Sequence, residues 1–428
     1  MKFLRNKIQN LSFSKRHSLP RTFIRRRKLP FRFVLLLLLQ KSIKSIQLVL
    51  NEFFMVLQKI PQPATNSAYC QARCNFLHSA FIELTEDIVA HFYDDTDYVT
   101  YKGHRLLSVD GSKVILPQEA EVGAHFGWTT FHKHPTDASD VYTYGLASVC
   151  YDVLNHLTLD SILASSKSSE RELLLEHLDS VRAGDILVFD RGYASYLLLA
   201  TLRKKGIHFI GRCQRNTFKE SRELFTRNIL SKTVGISFPP KKRRPNELAD
   251  LPESVKVRFV RLVLQTGEVE VLVTSLLDED EYPQEDFYEL YNQRWCIETF
   301  YGTLKERLHL EHFTGKSVAT VLQDFYSTIF VTNLETLLTY SSQKELTQRR
   351  QNNIHTQKIN KAVSFNALKN NVIELLLSSE NEQVIVTKLR QLFMKNPIYV
   401  RCGRSSPRVK PQLRQQVHYL KRRRKEIY

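Results

Sequence analysis

Tyr291, Arg294, Glu298 and Lys305 stand at offsets of zero, three, seven and fourteen in the run YNQRWCIETFYGTLKERL. In a helix of 3.6 residues per turn they share an arc of about 60°. Ile297, Tyr301, Leu304 and Leu308 form an apolar stripe on the neighbouring face. One side therefore packs, and the other offers a carboxylate flanked by two cations and a phenol. Taken alone, that face reads two ways. It is an ion-pair network of the ordinary surface kind, or it supplies one acidic metal ligand while its cations hold phosphates. Acids elsewhere decide between these. Asp110, in HRLLSVDGSKVILP, and Asp190, in ILVFDRGY, end apolar runs, where a carboxylate is costly unless used. Asp137, Asp140, Asp152, Asp160, Glu285 and Asp286 lack such a setting. Two-metal phosphoryl chemistry needs acidic oxygens converging on cations roughly 3.5–4 Å apart, and hard cations such as Mg²⁺ take carboxylates and keep waters. Asp110, Asp190 and Glu298 are the best triad for this. Arg294 and Lys305 would balance charge building on a phosphoryl group, and Tyr291 would donate to a phosphate oxygen or pack on a sugar.

The elements that must position these residues follow from pattern. HRLLSVDGSKVILP predicts a strand with Asp110 at its end, a Gly turn and a second short strand. Two further strands are expected near 143–151 and 155–163, then an amphipathic helix in SSERELLLEHLDSV with Ser168 or Ser169 as cap. ILVF is a continuous apolar run of the type buried on both faces. SYLLLATLRKKG predicts a helix and HFIGRC another strand. The expected fold class is α/β, a mixed sheet with helices on its faces; two acids at strand ends and a third on a helix is a ribonuclease-H-like arrangement. VKVRFVRLVL and VEVLVTSLL alternate around a turn, which predicts a β-rich insertion at about 212–280. Residues 1–97 read as a helical region suited to binding DNA, 98–340 as the catalytic domain, and 341–428 as a helical region with a basic tail.

Lys plus Arg number 62 against 44 Asp plus Glu, a net charge of +18 that calls for a polyanionic partner. The basic residues cluster, in Arg25-Arg26-Arg27-Lys28, in Lys241 to Pro245 and in the last 28 residues. The Leu run Phe33 to Leu39 falls far short of the ~20 residues that span a bilayer, so it predicts a buried helix and no membrane partner. Six scattered cysteines fit reduced thiols in a cytosol. Cys70, Cys74 and His78 share a helix face but lack a fourth zinc ligand. P-loop and HExxH motifs are absent, and no GxGxxG follows a strand.

The four-point spacing Tyr291-x2-Arg294-x3-Glu298-x6-Lys305 resembles the signature of DDE transposases of the IS-four insertion-sequence group. SVDGSKVILP, FDRGY (Asp190, Arg191, Gly192, Tyr193) and the Arg294-Trp295 pair also resemble that group. The likeness runs over roughly residues 20–340. It implies that Asp110, Asp190 and Glu298 bind two Mg²⁺ ions, with Mn²⁺ as substitute, and catalyse. It implies that Tyr291, Arg294, Lys305 and Arg191 handle DNA phosphates. The expected activity is cleavage and strand transfer of double-stranded DNA by a homodimer holding terminal inverted repeats and target DNA. Some members pass through a DNA hairpin and hold an unstacked base on an aromatic, for which Trp128 and Trp295 are candidates. The alternative is a retired relative that only binds DNA as a repressor; the intact acids argue against it.

Overall fold

The computed structural model describes residues 1–24, 28–42, 44–58, 63–131, 140–238, 250–264, 266–349, 355–377 and 382–400. The basic run at 25–27, the KKRRP loop, Asp137 and the basic tail from 401 lie outside the described residues. The chain opens on α1 (Lys2–Gln9), α2 (Leu11–Arg16), α3 (Phe31–Leu39), α4 (Ile46–Val56), α5 (Asn66–Cys74) and α6 (Ser79–Asp95). Next come β1 (Leu106–Ile115), α7 (Ala120–Phe126), β2 (Trp128–Phe131), β3 (Asp140–Asp152), β4 (Leu157–Ser165), α8 (Glu170–His177), β5 (Ile186–Phe189), α9 (Tyr196–Lys204) and β6 (His208–Cys213). They are followed by α10 (Arg222–Thr226), β7 (Ser231–Ser237), β8 (Ser254–Val263) and β9 (Val269–Thr274). α11 (Asp286–Asn292) and α12 (Trp295–Gly302) lead into a π-turn over Thr303–Arg307. The described chain ends with α13 (Val318–Gln348), β10 (Thr356–Lys358), α14 (Lys361–Leu377), α15 (Glu382–Lys395) and β11 (Ile398–Val400).

Two compact units result. One comprises residues 85–311 and 316–318; the other comprises 1–84, 312–315 and 319–428. The first is a mixed α/β unit. Among the described residues its sheet runs β2-β3-β1-β5-β6-β9-β8-β7, with β4 also on β3. β5 pairs parallel with β1 and with β6, and the other pairings are antiparallel. The apolar run of β5 is buried throughout, as a strand with neighbours on both edges and helices on its faces requires. Leu107, Val109, Leu187, Phe189, Phe209, Phe259 and Val273 share one core with Leu199 and Leu202 of α9, a helix capped by Ser195 Oγ on the Leu198 amide.

Two local differences from the sequence reading matter for the site. β1 does not turn at Gly111; it continues through it, with Gly111 paired to Ser148. The glycine serves a close approach instead, because an added Cβ would sit 2.9 Å from Glu170 Oε1. The segment 212–280 does not leave the sheet: β9 pairs with β6, and β8 and β7 extend it outward.

In the other unit the two terminal helical regions, read from sequence as separate, join. α1 and α3 pack on α14, Arg5 pairs with Glu382, and the Gln40 amide donates to the Lys369 carbonyl at 2.8 Å. The Leu run forms α3, and its apolar side chains are buried. Arg73 is buried against Asp324 at 2.8 Å and Gln323 at 2.8 Å, which satisfies a guanidinium that could not otherwise leave water. Among the described residues, no helix is long and apolar enough to cross a membrane.

Candidate active site

Strand register gives the two aspartates equivalent places on neighbouring parallel strands. Leu106, Leu107 and Ser108 of β1 stand opposite Ile186, Leu187 and Val188 of β5. Asp110 and Asp190 each lie two residues beyond the last of these pairs; Asp190 follows the carboxyl end of β5, whereas Asp110, expected at a strand end, stands in the middle of β1, which runs on to Ile115 against β3. Each carboxylate is anchored locally. Asp110 Oδ1 accepts from the Gly111 amide at 2.9 Å, and Asp190 Oδ1 from the Arg191 amide at 2.6 Å. Tyr291 Oη adds a hydrogen bond to Asp190 Oδ1 at 3.3 Å.

The segment carrying Glu298 is not one continuous α-helix. α11 ends at Asn292, Gln293 and Arg294 form a turn that stays in helical dihedrals, and α12 begins at Trp295. Arg294 therefore sits at a break and is only 5 % exposed. Its Nη2 donates to Glu298 Oε1 at 3.0 Å, and its Nη1 lies 4.0 Å from Asp110 Oδ2. Its guanidinium also stacks over Trp295 at 4.8 Å. Burial works against its charge, but Tyr291, Asp190 and Glu298 outweigh burial and raise its pKa. So Arg294, expected to face phosphate, faces the acids. A guanidinium taken out of water requires such partners.

Lys305 departs further from expectation. The π-turn after Gly302 breaks the 3.6-residue count that placed it beside Glu298. Its Nζ donates to Ser112 Oγ at 2.8 Å and to the Lys113 carbonyl at 2.6 Å, so it is docked on β1. Burial lowers its pKa. Arg191 is exposed on the turn after Asp190.

Three further residues surround the acids without having been singled out for chemistry by the sequence. Glu170, at the start of α8, reaches over Gly111, and its neighbour Arg171 donates to the Gly192 carbonyl at 2.6 Å. Tyr193 closes the turn after Asp190, its amide on the Asp190 carbonyl at 3.1 Å. Among the described residues its buried hydroxyl has no hydrogen-bond partner, and burial and the charges of Asp110, Glu170 and Asp190 hold it protonated. The Tyr301 hydroxyl lies 2.8 Å from the Asp110 carbonyl and 2.9 Å from that of Ala147. Only long-range packing produces these neighbours: Glu170 and Tyr301 stand in runs whose patterns speak only of helix packing, and Tyr193 stands in FDRGY.

Asp110 reports the electrostatics of the place. Burial pushes its carboxyl up to about 6; the Gly111 amide and Arg294 oppose this, while Glu170 and Glu298 add to it. Among the described residues, no group of three or more His, Cys, Asp or Glu is gathered tightly enough to hold a metal ion as placed. Asp110, Asp190 and Glu298 do not meet at one point; Arg294 links them. The donor set nevertheless fits a hard divalent cation. Its donors would be carboxylate oxygens, Asp110 is held back from ionising by burial and by the neighbouring Glu170 and Glu298, and the buried Arg294 guanidinium already balances acids there.

Comparison with known proteins agrees with this geometry in kind. The transposase DDE domain family matches residues 101–334, more than half of the chain. The transposase InsG for insertion sequence element IS4, from Escherichia coli strain K12, is 23% identical over 320 residues, covering 73% of this chain and 70% of that protein. A cryo-EM structure of the piggyBac transposase synaptic complex with hairpin DNA aligns at a TM-score of 0.42 and 10% identity, over 92% of this chain and 85% of that one; a likeness at that level carries no argument. With the family matched from ahead of β1 to beyond Lys305, the chain belongs to the transposase DDE domain family.

Proposed function

We propose that this transposase cuts double-stranded DNA at terminal inverted repeats and joins the freed 3′ ends to target DNA, working as a homodimer with Asp110, Asp190 and Glu298 as its catalytic carboxylates. The sequence of pairings β4-β3-β1-β5-β6, an antiparallel set followed by parallel strands, supports a ribonuclease-H-like reading of the sheet. The observation that carries the proposal is the parallel pairing of β1 with β5, past which Asp110 and Asp190 hold equivalent positions, with Arg294 lying between Glu298 and Asp110.

Asp110, Asp190 and Glu298 would hold two Mg²⁺ ions, which supply an activated water or 3′-hydroxyl and stabilise a leaving oxygen. The chain's own residues do the rest. Tyr291 fixes the Asp190 carboxylate. Arg294 balances the acids, so that three carboxylates coexist in a small volume. Arg191, exposed on the turn beside Asp190, meets a DNA phosphate. Lys305, spent on β1, holds the carrier of Glu298 against the carrier of Asp110.

The test is a nicking assay on a labelled duplex carrying the element's own ends. A 3′ nick that needs Mg²⁺ or Mn²⁺ and vanishes with a chelator is the expected result. Cleavage undiminished by the chelator would contradict the assignment.

A further inference from the structure

The segment 298–311 lies along β1 and grips it at successive positions. Tyr301 Oη lies 2.8 Å from the Asp110 carbonyl, Lys305 Nζ lies on Ser112 and Lys113, and Glu311 Oε1 accepts from the Ile115 amide at 3.1 Å. The first of these grips is unlike the others, because it falls on the peptide of a site carboxylate. Tyr301 is also three residues, about one helical turn, after Glu298. Its hydroxyl is shared between the Asp110 carbonyl of β1 and the Ala147 carbonyl of β3, so a single O–H spans two strands.

We propose that Tyr301 is a positioning residue of the cleavage reaction, whose hydroxyl sets the separation of Asp110 and Glu298 by fastening the helix of one to the strand of the other. The proposal rests on the assignment of those acids as the site. Its physical basis is short leverage. Asp110 is bonded to the peptide that Tyr301 holds, and Glu298 is rigidly connected to Tyr301 through one turn of α12. Sub-ångström placement matters for a pair of carboxylates that must share cations. The ring is enclosed at 5 % exposure, and Phe fills the same volume.

The test compares wild type, Tyr301→Phe and Phe300→Leu in the full chain. Phe300 stacks on Tyr151 at 4.5 Å and packs against the Tyr301 ring at 6.1 Å, so Phe300→Leu loosens the packing around Tyr301 while leaving both hydroxyl hydrogen bonds in place. Mn²⁺ affinity is measured by isothermal titration without DNA, alongside nicking rate and end binding. Tyr301→Phe is expected to weaken Mn²⁺ binding and nicking by about ten- to a hundredfold, the usual effect of losing a partner that orients a ligand. End binding should stay within about twofold, and thermal midpoint should fall by only about 2–4 °C. Phe300→Leu, at an equal or larger fall in midpoint, should keep wild-type Mn²⁺ affinity.

Unchanged Mn²⁺ affinity and rate in Tyr301→Phe overturn the proposal while leaving the site assignment standing. Equal losses in Phe300→Leu overturn it too, since general loosening then suffices. Absence of Mn²⁺ binding and nicking in the wild type removes the site assignment, and the proposal falls with it.

Discussion

Arg294 is the residue on which the site turns. It is buried, and its charge is balanced by Glu298, Asp110 and Asp190. Removing one member of a buried ionic group costs about 3–5 kcal/mol, because the remaining charges lose their partner. Arg294→Ala should therefore lower the unfolding free energy of the metal-free protein by that order in urea titrations, and added Mg²⁺ should recover part of the loss. Asp110 predicts the opposite sign. Folding raises its carboxyl from 3.8 to about 6. Between those values the folded chain binds the extra proton, so stability falls as pH rises from about 4 to about 6 and stays lower above. Asp110→Asn should thus stabilise the metal-free protein at pH 7–8 by up to about 2 kcal/mol while abolishing nicking. A variant that is destabilised there would contradict the electrostatic account.

At the scale of elements, the strands were legible because their signals are local. ILVF must be buried, so Asp190 had to stand at a strand end. Periodicity placed Tyr291, Arg294 and Glu298 together, and the break at Gln293–Arg294 kept helical dihedrals, so that grouping persists. Lys305 was misplaced because nothing in TLKER announces a π-turn, and each residue beyond it leaves the helical count. The strand through Gly111 was misread as a turn because glycine carries both meanings; only the arrival of Glu170 from α8 separates them. The same sheet offers a sharper steric test. A Cβ on Gly211 of β6 would fall 2.1 Å from the Phe189 ring of β5, against a rigid aromatic rather than a flexible tip. Gly211→Ala should cost about 1–3 kcal/mol, read as a lowered denaturation midpoint, and should impair cleavage through Asp190, the residue following Phe189.

For the whole molecule, the joining of both chain ends into one unit was beyond sequence reasoning, since Arg5 finds Glu382 and Gln40 finds Lys369 across more than 300 residues. That unit has its own acid sensitivity. Burial opposes ionisation of Glu83, but hydrogen bonds from Lys7, His17 and Arg16 prevail and hold its carboxyl at about 2. A depressed carboxyl stabilises the fold above its ordinary value and loses that contribution as pH falls toward 2. Glu83→Gln should remove this acid-dependent loss, seen in circular dichroism melts between pH 2 and 5. The net charge of +18 carries a separate expectation. End binding should weaken steeply with salt, by about a decade or more between 50 and 200 mM if several phosphates are neutralised.

The most direct measurement sets Asp190→Ala beside wild type on one end-bearing duplex, with gel-shift affinity and Mg²⁺-dependent nicking read from the same preparations. The account predicts near-equal binding and no nicking by the variant. Normal nicking by Asp190→Ala would contradict it.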